Sequence, residues 1–340
     1  MDRDMEHHLA ALCAEAREDW SGGRVLNLQR ITSGWESDVY SFDLERGQAR
    51  TGLILRIYPG DDAREKSARE YRSLRLLRDA GYPVPETFLL RIDDSLFGKP
   101  VVIMERVDGG DLWPLLARAS GEESDRLLTL FCGLFVRLHA LDWRPFADSA
   151  LLPVDQDNPR AVIEGLLRWF RAEVEASSMR GFLPVADWLE SRLPTVSNCR
   201  LARVHFDFHP GNILLRTDGS PVVIDWTGPE VLDPRFDLGW TLLLTGAYMG
   251  VEWRERILRE YERLSGKVLE DMDFFDAANC ARRLRDVTMS VMLGADAMGM
   301  RPGAEQMMRE QMPATRWVYA LLLQHTGIRV PEVEAMLASA

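Results

Sequence analysis

The sequence predicts an α+β protein in two parts: a small antiparallel sheet with one helix, then a larger and mainly helical remainder. Three observations carry this expectation. The chain has 340 residues, beyond the length at which a single hydrophobic core ordinarily stops growing. Short apolar runs bounded by turn residues crowd its first third, interrupted by one long stretch of helical periodicity. From Leu112 onward the apolar residues recur at helical spacing almost throughout. The division is expected at residue 106, giving parts 1–106 and 107–340.

Taken in order, residues 8–20 place Leu9, Leu12, Cys13 and Ala16 on one helical face, and Ser21-Gly22-Gly23 ends that helix. Strands over 25–31 and 39–44 flank Thr32-Ser33-Gly34-Trp35-Glu36-Ser37-Asp38. Such a small polar turn either simply closes a hairpin or faces an anion with its backbone N–H groups. The Rossmann and Walker glycine fingerprints are absent. Residues 53–59 form a third strand, apolar around the single cation Arg56. The next stretch, 62–80, is a helix with Tyr71, Leu74, Leu76 and Leu77 inward and Glu70 on or beside that stripe; Gly81, Pro83 and Pro85 stop it. Strands over 87–92 and 100–105 complete a five-stranded sheet, after which 107–111 relaxes into loop. Helices follow over 125–141, 158–177 and 184–193, and the remaining helices, among them the strongly charged 252–264, fill 250–325. Met289, Met292, Met298, Met300, Met307, Met308 and Met312 enrich the last third, where core filling is the commoner use and a permissive pocket the rarer one.

Bulk properties exclude several classes. The hydrophobic share of 46% and charged share of 28% are those of an ordinary globular protein. A net charge of −12 argues against nucleic acid as a partner, and it does not by itself imply a cationic ligand. Cys13, Cys132, Cys199 and Cys280 form no C-x-x-C pair, as expected of neutral thiols in a reducing compartment. The first residues lack the apolar core of a signal peptide, and no run approaches the roughly 18 residues of a membrane span. A cytoplasmic protein with no membrane partner is expected.

The most informative stretch is Val204-His205-Phe206-Asp207-Phe208-His209-Pro210-Gly211-Asn212-Ile213, followed by Val222-Val223-Ile224-Asp225-Trp226. An aspartate, an asparagine five residues on and an aspartate on the next strand suit phosphoryl transfer from a nucleotide. One acid receives the proton of the attacking hydroxyl, while the amide oxygen and second acid hold the magnesium that neutralises the phosphates. A rival reading makes His205, Asp207 and His209, alternating on an extended segment, the three ligands of a metal-dependent hydrolase. It explains three residues only, and no H-E-x-x-H or G-x-S-x-G accompanies it.

The segment 205–212, with histidine and proline between the aspartate and asparagine, resembles the aminoglycoside phosphotransferase and choline kinase group, whose fold is protein kinase-like. Ile224-Asp225-Trp226 is similar to the D-F-G element of kinases, with tryptophan in the place of phenylalanine. Further similarity lies in 34–40, 69–86 and 139–143. The resemblance implies transfer of the γ-phosphate of ATP or GTP, with Mg2+, to a hydroxyl of a small molecule of the aminoglycoside, macrolide, choline or homoserine type. It implies Asp207 as the catalytic residue and Asn212 and Asp225 as metal ligands. Arg56 stands where the kinase plan has lysine, neutralising the α- and β-phosphates, with Glu70 as its partner and Glu65 in reserve. Ser33 and Gly34 cover the phosphates, and backbone between Glu105 and Val107 meets the base. Residues 1–106 become the nucleotide-binding lobe, and 107–340 the catalytic and substrate-binding lobe. Asp237 orients the catalytic loop and starts a helix over 238–248, Asp233 is a turn acid before proline, His139 and His205 are structural, and His209 either packs or approaches substrate. A monomer or homodimer fits equally. A nucleotide-binding relic with little catalysis is the other reading of the same motifs.

Overall fold

The computed structural model describes residues 2–31, 37–94, 96–177, 179–228, 230–294 and 310–339. The chain forms two compact units, Met1–Leu112 with Gly211–Thr227, and Trp113–Pro210 with Gly228–Ala340.

In the first unit α1 (Asp2–Ala16) precedes β1 (Arg24–Ile31), β2 (Asp38–Arg46) and β3 (Ala49–Ile57). Then come α2 (Ala63–Asp79), β4 (Thr87–Arg91) and β5 (Val101–Glu105). The strands pair antiparallel in the order β1-β2-β3-β5-β4, so β3 is central. Period-two alternation on β3 sends Leu53, Leu55 and Ile57 into the core with Phe42, Leu44, Val101 and Ile103. Leu9, Leu12 and Cys13 of α1 close over the same cluster. Arg56, between Leu55 and Ile57, therefore faces the other side of the sheet. The first helix is longer at its start than its apolar pattern suggests and stops at Ala16, because Arg17 is extended and Glu18–Trp20 forms a separate 3-10 turn.

The segment expected as loop over 107–111 is a strand at its end. Gly109–Asp111 (β6) pairs antiparallel with β8 (Ile213–Arg216), which pairs with β9 (Pro221–Val223). The glycine makes this pairing feasible, since a Cβ on Gly109 would overlap the carbonyl oxygen of Leu215. The Val223 N–H also donates to the Pro83 carbonyl at 2.8 Å. The hairpin that carries Asn212 and Asp225 is thus part of the first unit, although more than ninety residues of helical chain separate it from Leu112.

The second unit contains α3 (Leu112–Arg118), α4 (Gly121–His139), α5 (Pro159–Ala176), α6 (Leu183–Arg192), α7 (Pro234–Met249), α8 (Val251–Ser265), α9 (Met272–Leu293), α10 (Met312–Thr326) and α11 (Pro331–Ser339). A two-stranded ribbon pairs β7 (Ala202–Val204) with β10 (Glu230–Leu232). Helix α7 is the core element, buried continuously from Pro234 to Gly246. It starts four residues before the expected position. Asp233 caps it, accepting the Arg235 N–H at 3.0 Å, and Pro234 occupies the first turn, where its missing N–H costs nothing.

Cys13, Cys132 and Cys280 are buried free thiols, and burial pushes Cys13 up to about 12. Met312 is buried, Met289 half-buried and Met292 half-exposed, while Met298, Met300, Met307 and Met308 lie outside the described residues. Among the described residues no helix is long and apolar enough to cross a membrane.

Replacing Gly109 by alanine is expected to destabilise the protein by roughly 1–3 kcal/mol, because the strand must move off Leu215. Gly110, where an added methyl group would meet nothing within 4 Å, is the control. Urea unfolding of the two alanine variants checks this, and equal midpoints would refute it.

Candidate active site

The expected site residues fall into two groups of side chains, one in each unit. In the first unit Arg56 rises from the centre of the sheet with its side chain 12% exposed. Its guanidinium donates to Ser37 Oγ at 2.9 Å, Glu70 Oε1 at 2.9 Å and Asp225 Oδ1 at 3.1 Å. Burial opposes its charge, but Glu70 and Asp225 outweigh that and hold the guanidinium above its ordinary pKa. Glu70 is itself buried and accepts the Tyr58 hydroxyl at 2.6 Å, and burial followed by Glu70 pushes that phenol far up. Arg56 is thus a fixed cation, not a surface arginine on an edge strand. Glu65 is exposed.

Asp225 sits at φ +64, in the left-handed region that costs a non-glycine residue about 1 kcal/mol. Its neighbours hold it there. The Ile224 N–H donates to the Asn212 carbonyl at 2.9 Å, and the fully buried Trp226 donates Nε1–H to the Val223 carbonyl at 2.9 Å. Tyr82 packs edge-on against the Trp226 ring at 5.9 Å. The Asp225 side chain remains 43% exposed, and Asn212 is buried. An amide and a carboxylate are hard oxygen donors of the kind Mg2+ takes while it keeps several waters, so the donor set fits that ion. Among the described residues no three His, Cys, Asp or Glu side chains are grouped to hold a metal, so the transition-metal reading of His205, Asp207 and His209 has no arrangement behind it.

At the end of the sheet Glu105 is engaged on both sides, accepting the Glu86 N–H at 3.2 Å and pairing with Arg216 at 2.6 Å. The Glu105 N–H donates to the Glu86 carbonyl and the Arg106 N–H to the Gly52 carbonyl, whereas Val107 has no backbone partner among the described residues. Ser33 and Gly34 lie outside the described residues.

In the second unit one face of α7 holds the loop 205–208 residue by residue. Asp237, with no solvent exposure, accepts the His205 and Phe206 N–H groups, each at 2.8 Å. Trp240 Nε1–H donates to Asp207 Oδ1 at 2.6 Å, and Thr241 donates to the Phe208 carbonyl at 2.5 Å. These three residues stand at i, i+3 and i+4, the spacing that shares a helix face. Phe206 adopts φ +71, and Arg282 fixes it from above, its guanidinium carbon 3.9 Å over the Phe206 ring and 4.2 Å over Trp240, with Nη1 donating to the Phe206 carbonyl at 2.9 Å.

The two oxygens of Asp207 therefore differ: Oδ1 is taken by the indole, and Oδ2 lies 3.7 Å from His209 Nε2. Burial alone would raise the Asp207 pKa, but the attraction of His209, then His205 and Arg282, holds it well below the usual carboxylate range. His205 is fully buried, its Nδ1 accepting the Asp207 N–H at 3.3 Å, and His139 is buried between Asp237 (3.2 Å) and the Tyr261 hydroxyl (2.9 Å). Trp240 and Arg282 escaped the sequence reading. Trp240 stands three residues after Asp237 on an expected helix, a detectable signal; Arg282 lies on α9 with no local signature.

Residues 27–276 match the phosphotransferase enzyme family. Over 180 residues the chain is 28% identical to acyl-CoA dehydrogenase family member 10 of Mus musculus, covering 52% of this chain and 16% of that protein. The chain thus spans about a sixth of that relative's length. A solved Ralstonia eutropha JMP134 protein assigned to the aminoglycoside phosphotransferases aligns with TM-score 0.67 at 18% identity, covering 94% of this chain and 98% of that one. The GDP and kanamycin complex of APH(2″)-IIIa aligns with TM-score 0.60 at 15% identity, over 89% and 98% of the two chains. At such identities the likeness is one of fold.

Burial keeps His139 neutral, lowering its pKa below the ordinary value of about 6.5 despite the opposing pull of Asp237. The unfolded chain takes up that proton first as the solution is acidified. The contribution of His139 to stability is therefore complete above pH ~6.5 and is lost as pH falls through that value towards the folded pKa. Urea unfolding between pH 7.5 and about 5 is expected to show a smaller loss of stability in His139→Gln than in the parent. Identical slopes would sink the assignment.

Proposed function

Because the chain belongs to the phosphotransferase enzyme family, we propose that it moves the γ-phosphate of ATP or GTP to a hydroxyl of a small molecule in a Mg2+-dependent reaction. The observation that carries this reading is the hold on Asp207: four consecutive loop residues fixed by one helix face, one carboxylate oxygen occupied and the other left beside His209. The acceptor hydroxyl donates to Oδ2 of Asp207, which orients it for in-line attack. Its oxygen forms a bond to the γ-phosphorus, the bond from that phosphorus to the β–γ bridging oxygen breaks, and the nucleoside diphosphate leaves with the electron pair. The hydroxyl proton passes to Asp207 and on to solvent. A carboxylate of such low pKa acts mainly by orienting, and takes the proton late.

Arg56, immobilised by Glu70, offers its remaining N–H capacity to the α- and β-phosphates. Asn212 and Asp225 would hold Mg2+, which when bound neutralises phosphate oxygens. Ser33 and Gly34 would cover the phosphates, and backbone near Glu105 and Val107 would meet the base, which agrees with the lack of a partner for Val107 among the described residues. The first unit is then the nucleotide-binding part and the second the acceptor-binding part. The GDP and kanamycin in a neighbour of like fold support a nucleotide and a small hydroxylated acceptor. A mere nucleotide-binding relic has no use for so constrained an Asp207.

A thermal-shift titration with ATP and GTP tests the reading. Stabilisation that needs Mg2+ is expected in the parent, is lost in Asp225→Ala, and survives in Asp207→Asn, whose turnover falls by about 10²–10⁴-fold. No nucleotide shift, with zinc stabilising the protein instead, would overturn it. Trp240→Phe keeps the ring under Arg282 but removes the donor to Asp207. Its kcat is expected to drop about tenfold with the nucleotide KM unchanged; an unaltered kcat would show that the indole N–H is dispensable.

A further inference from the structure

From Asp207 a continuous wall of side chains runs along the second unit. His209 stands beside the carboxylate; the Trp113 ring meets His209 edge-on at 5.7 Å and Tyr248 edge-on at 6.1 Å. Tyr248 is 40% exposed, and its hydroxyl donates to Gln311 Oε1 at 2.7 Å. Arg283 ends the wall, with Nη2 donating to the Tyr248 hydroxyl at 3.2 Å and to Gln311 Oε1 at 3.4 Å.

Among the described residues the guanidinium of Arg283 meets neutral oxygens only, with no carboxylate in an ion pair. Five donors in a rigid fork are suited to a carboxylate or phosphate, and here two neutral oxygens share one nitrogen. The adjacent Arg282 donates to the Phe206 carbonyl and is neutralised by Asp286 and Asp207, so Arg283 is the guanidinium on this surface that meets no carboxylate among the described residues. Arg283 disfavours a positive charge on the part of an acceptor that lies beside it. The half-buried Trp113 ring and the exposed Tyr248 ring favour a flat or apolar body.

We propose that the acceptor carries an anionic group, which Arg283 receives, joined through an apolar or flat body to the hydroxyl that Asp207 orients. Tyr248 follows Trp240 by eight residues on α7, about 12 Å of helix rise. The anionic group accordingly lies on the order of 10 Å from the reacting oxygen. This rests on the phosphotransferase reading above. The rings of Trp113 and Tyr248 would by themselves also suit a quaternary ammonium, and Arg283 at the tyrosine hydroxyl is what turns the preference to anions.

The test uses the full chain with Mg2+ and ATP or GTP, measuring nucleoside diphosphate release. Its probes are ω-hydroxyoctanoate, its amide, ω-hydroxyoctyl phosphate, ω-hydroxyoctyl-trimethylammonium and kanamycin. The carboxylate or the phosphate is expected to exceed the amide by about tenfold in kcat/KM, and the amide to exceed the two cationic probes. The better of the two anions identifies which is read. Arg283→Gln is expected to level acid and amide, chiefly through KM, and Arg283→Lys to restore most of the difference, with both variants melting like the parent. Where turnover is too slow, the same ratios are read from acceptor-induced thermal shifts. A preference for either cationic probe, or an acid-to-amide ratio unchanged in Arg283→Gln, overturns the inference. A Mg2+-dependent nucleotide shift in the same samples separates this failure from failure of the phosphotransferase reading itself.

Discussion

The second unit depends on one buried carboxylate. Asp237 takes two successive backbone N–H groups from the loop, and such hydrogen bonds to a charged acceptor are worth about 1.5–3 kcal/mol each. It sits in the first turn of α7, where the helix field favours a negative charge. That position follows from the cap one turn earlier. Asp233 and Pro234 fix where the helix begins, and the start fixes the rotation of every later residue. Asp237, Trp240 and Thr241 then fall on the loop side together. Shifting the helix start by one residue would turn this face by about 100° and release the loop. The left-handed Phe206 is tolerable because Arg282 and Asp237 grip it from two sides.

In the first unit the equivalent constraint is the fork of Arg56. A lysine ammonium is a compact point charge, whereas a guanidinium presents donors in several fixed directions. Here those directions reach a hydroxyl and two carboxylates from three segments: Ser37, Glu70 on α2 and Asp225 after β9. Arginine at this place is therefore a geometric solution of its own, one that ties the strained turn at Asp225 to the centre of the sheet. The tie helps to hold φ +64 at a residue with a side chain. Among the described residues Arg56 engages only Oδ1 of the Asp225 carboxylate.

Local physics is legible in the sequence and long-range physics is not. Period two on 53–59 marks β3 and its lone cation, and period 3.6 marks α2, α5 and α6 nearly to their ends. The pairing of Glu70 with Arg56 follows from the apolar stripe it borders. By contrast Gly109-Gly110 reads as loop because nothing nearby shows that Leu215 will lie against it. The start of α7 is misplaced when Asp237 is weighed above the Asp233-Pro234 pair, although both are acids at a helix start. A single cut at 106 does not show that Gly211–Thr227 returns to the first unit, since a return is a property of strand pairing, not of composition. Asp207, Asn212 and Asp225 stand out because their spacing is itself a motif. Arg282 acts on the same loop from 75 residues downstream of Asp207, and its stacking between two rings exists only after α7 and α9 have packed.

Net charge illustrates the same limit from another side. A chain of −12 invites the thought of a cationic ligand, yet the wall that leads away from Asp207 ends at the cation Arg283. Both statements hold, because screening confines an exposed charge to about 8–10 Å at ordinary ionic strength. The proposed acceptor, against Trp113 and Tyr248, would respond to the few groups within that radius, and the sum over the chain would be irrelevant to it. The helices that supply those groups answer to packing on one face and to solvent or ligand on the other. Their exposed side chains vary without disturbing the buried face of α7 or the central strand of the sheet. Conversely, the hold on Asp207 would constrain the proposed transfer step while leaving open what presents the hydroxyl. The reaction is written into a motif, and the acceptor into side chains that belong to none.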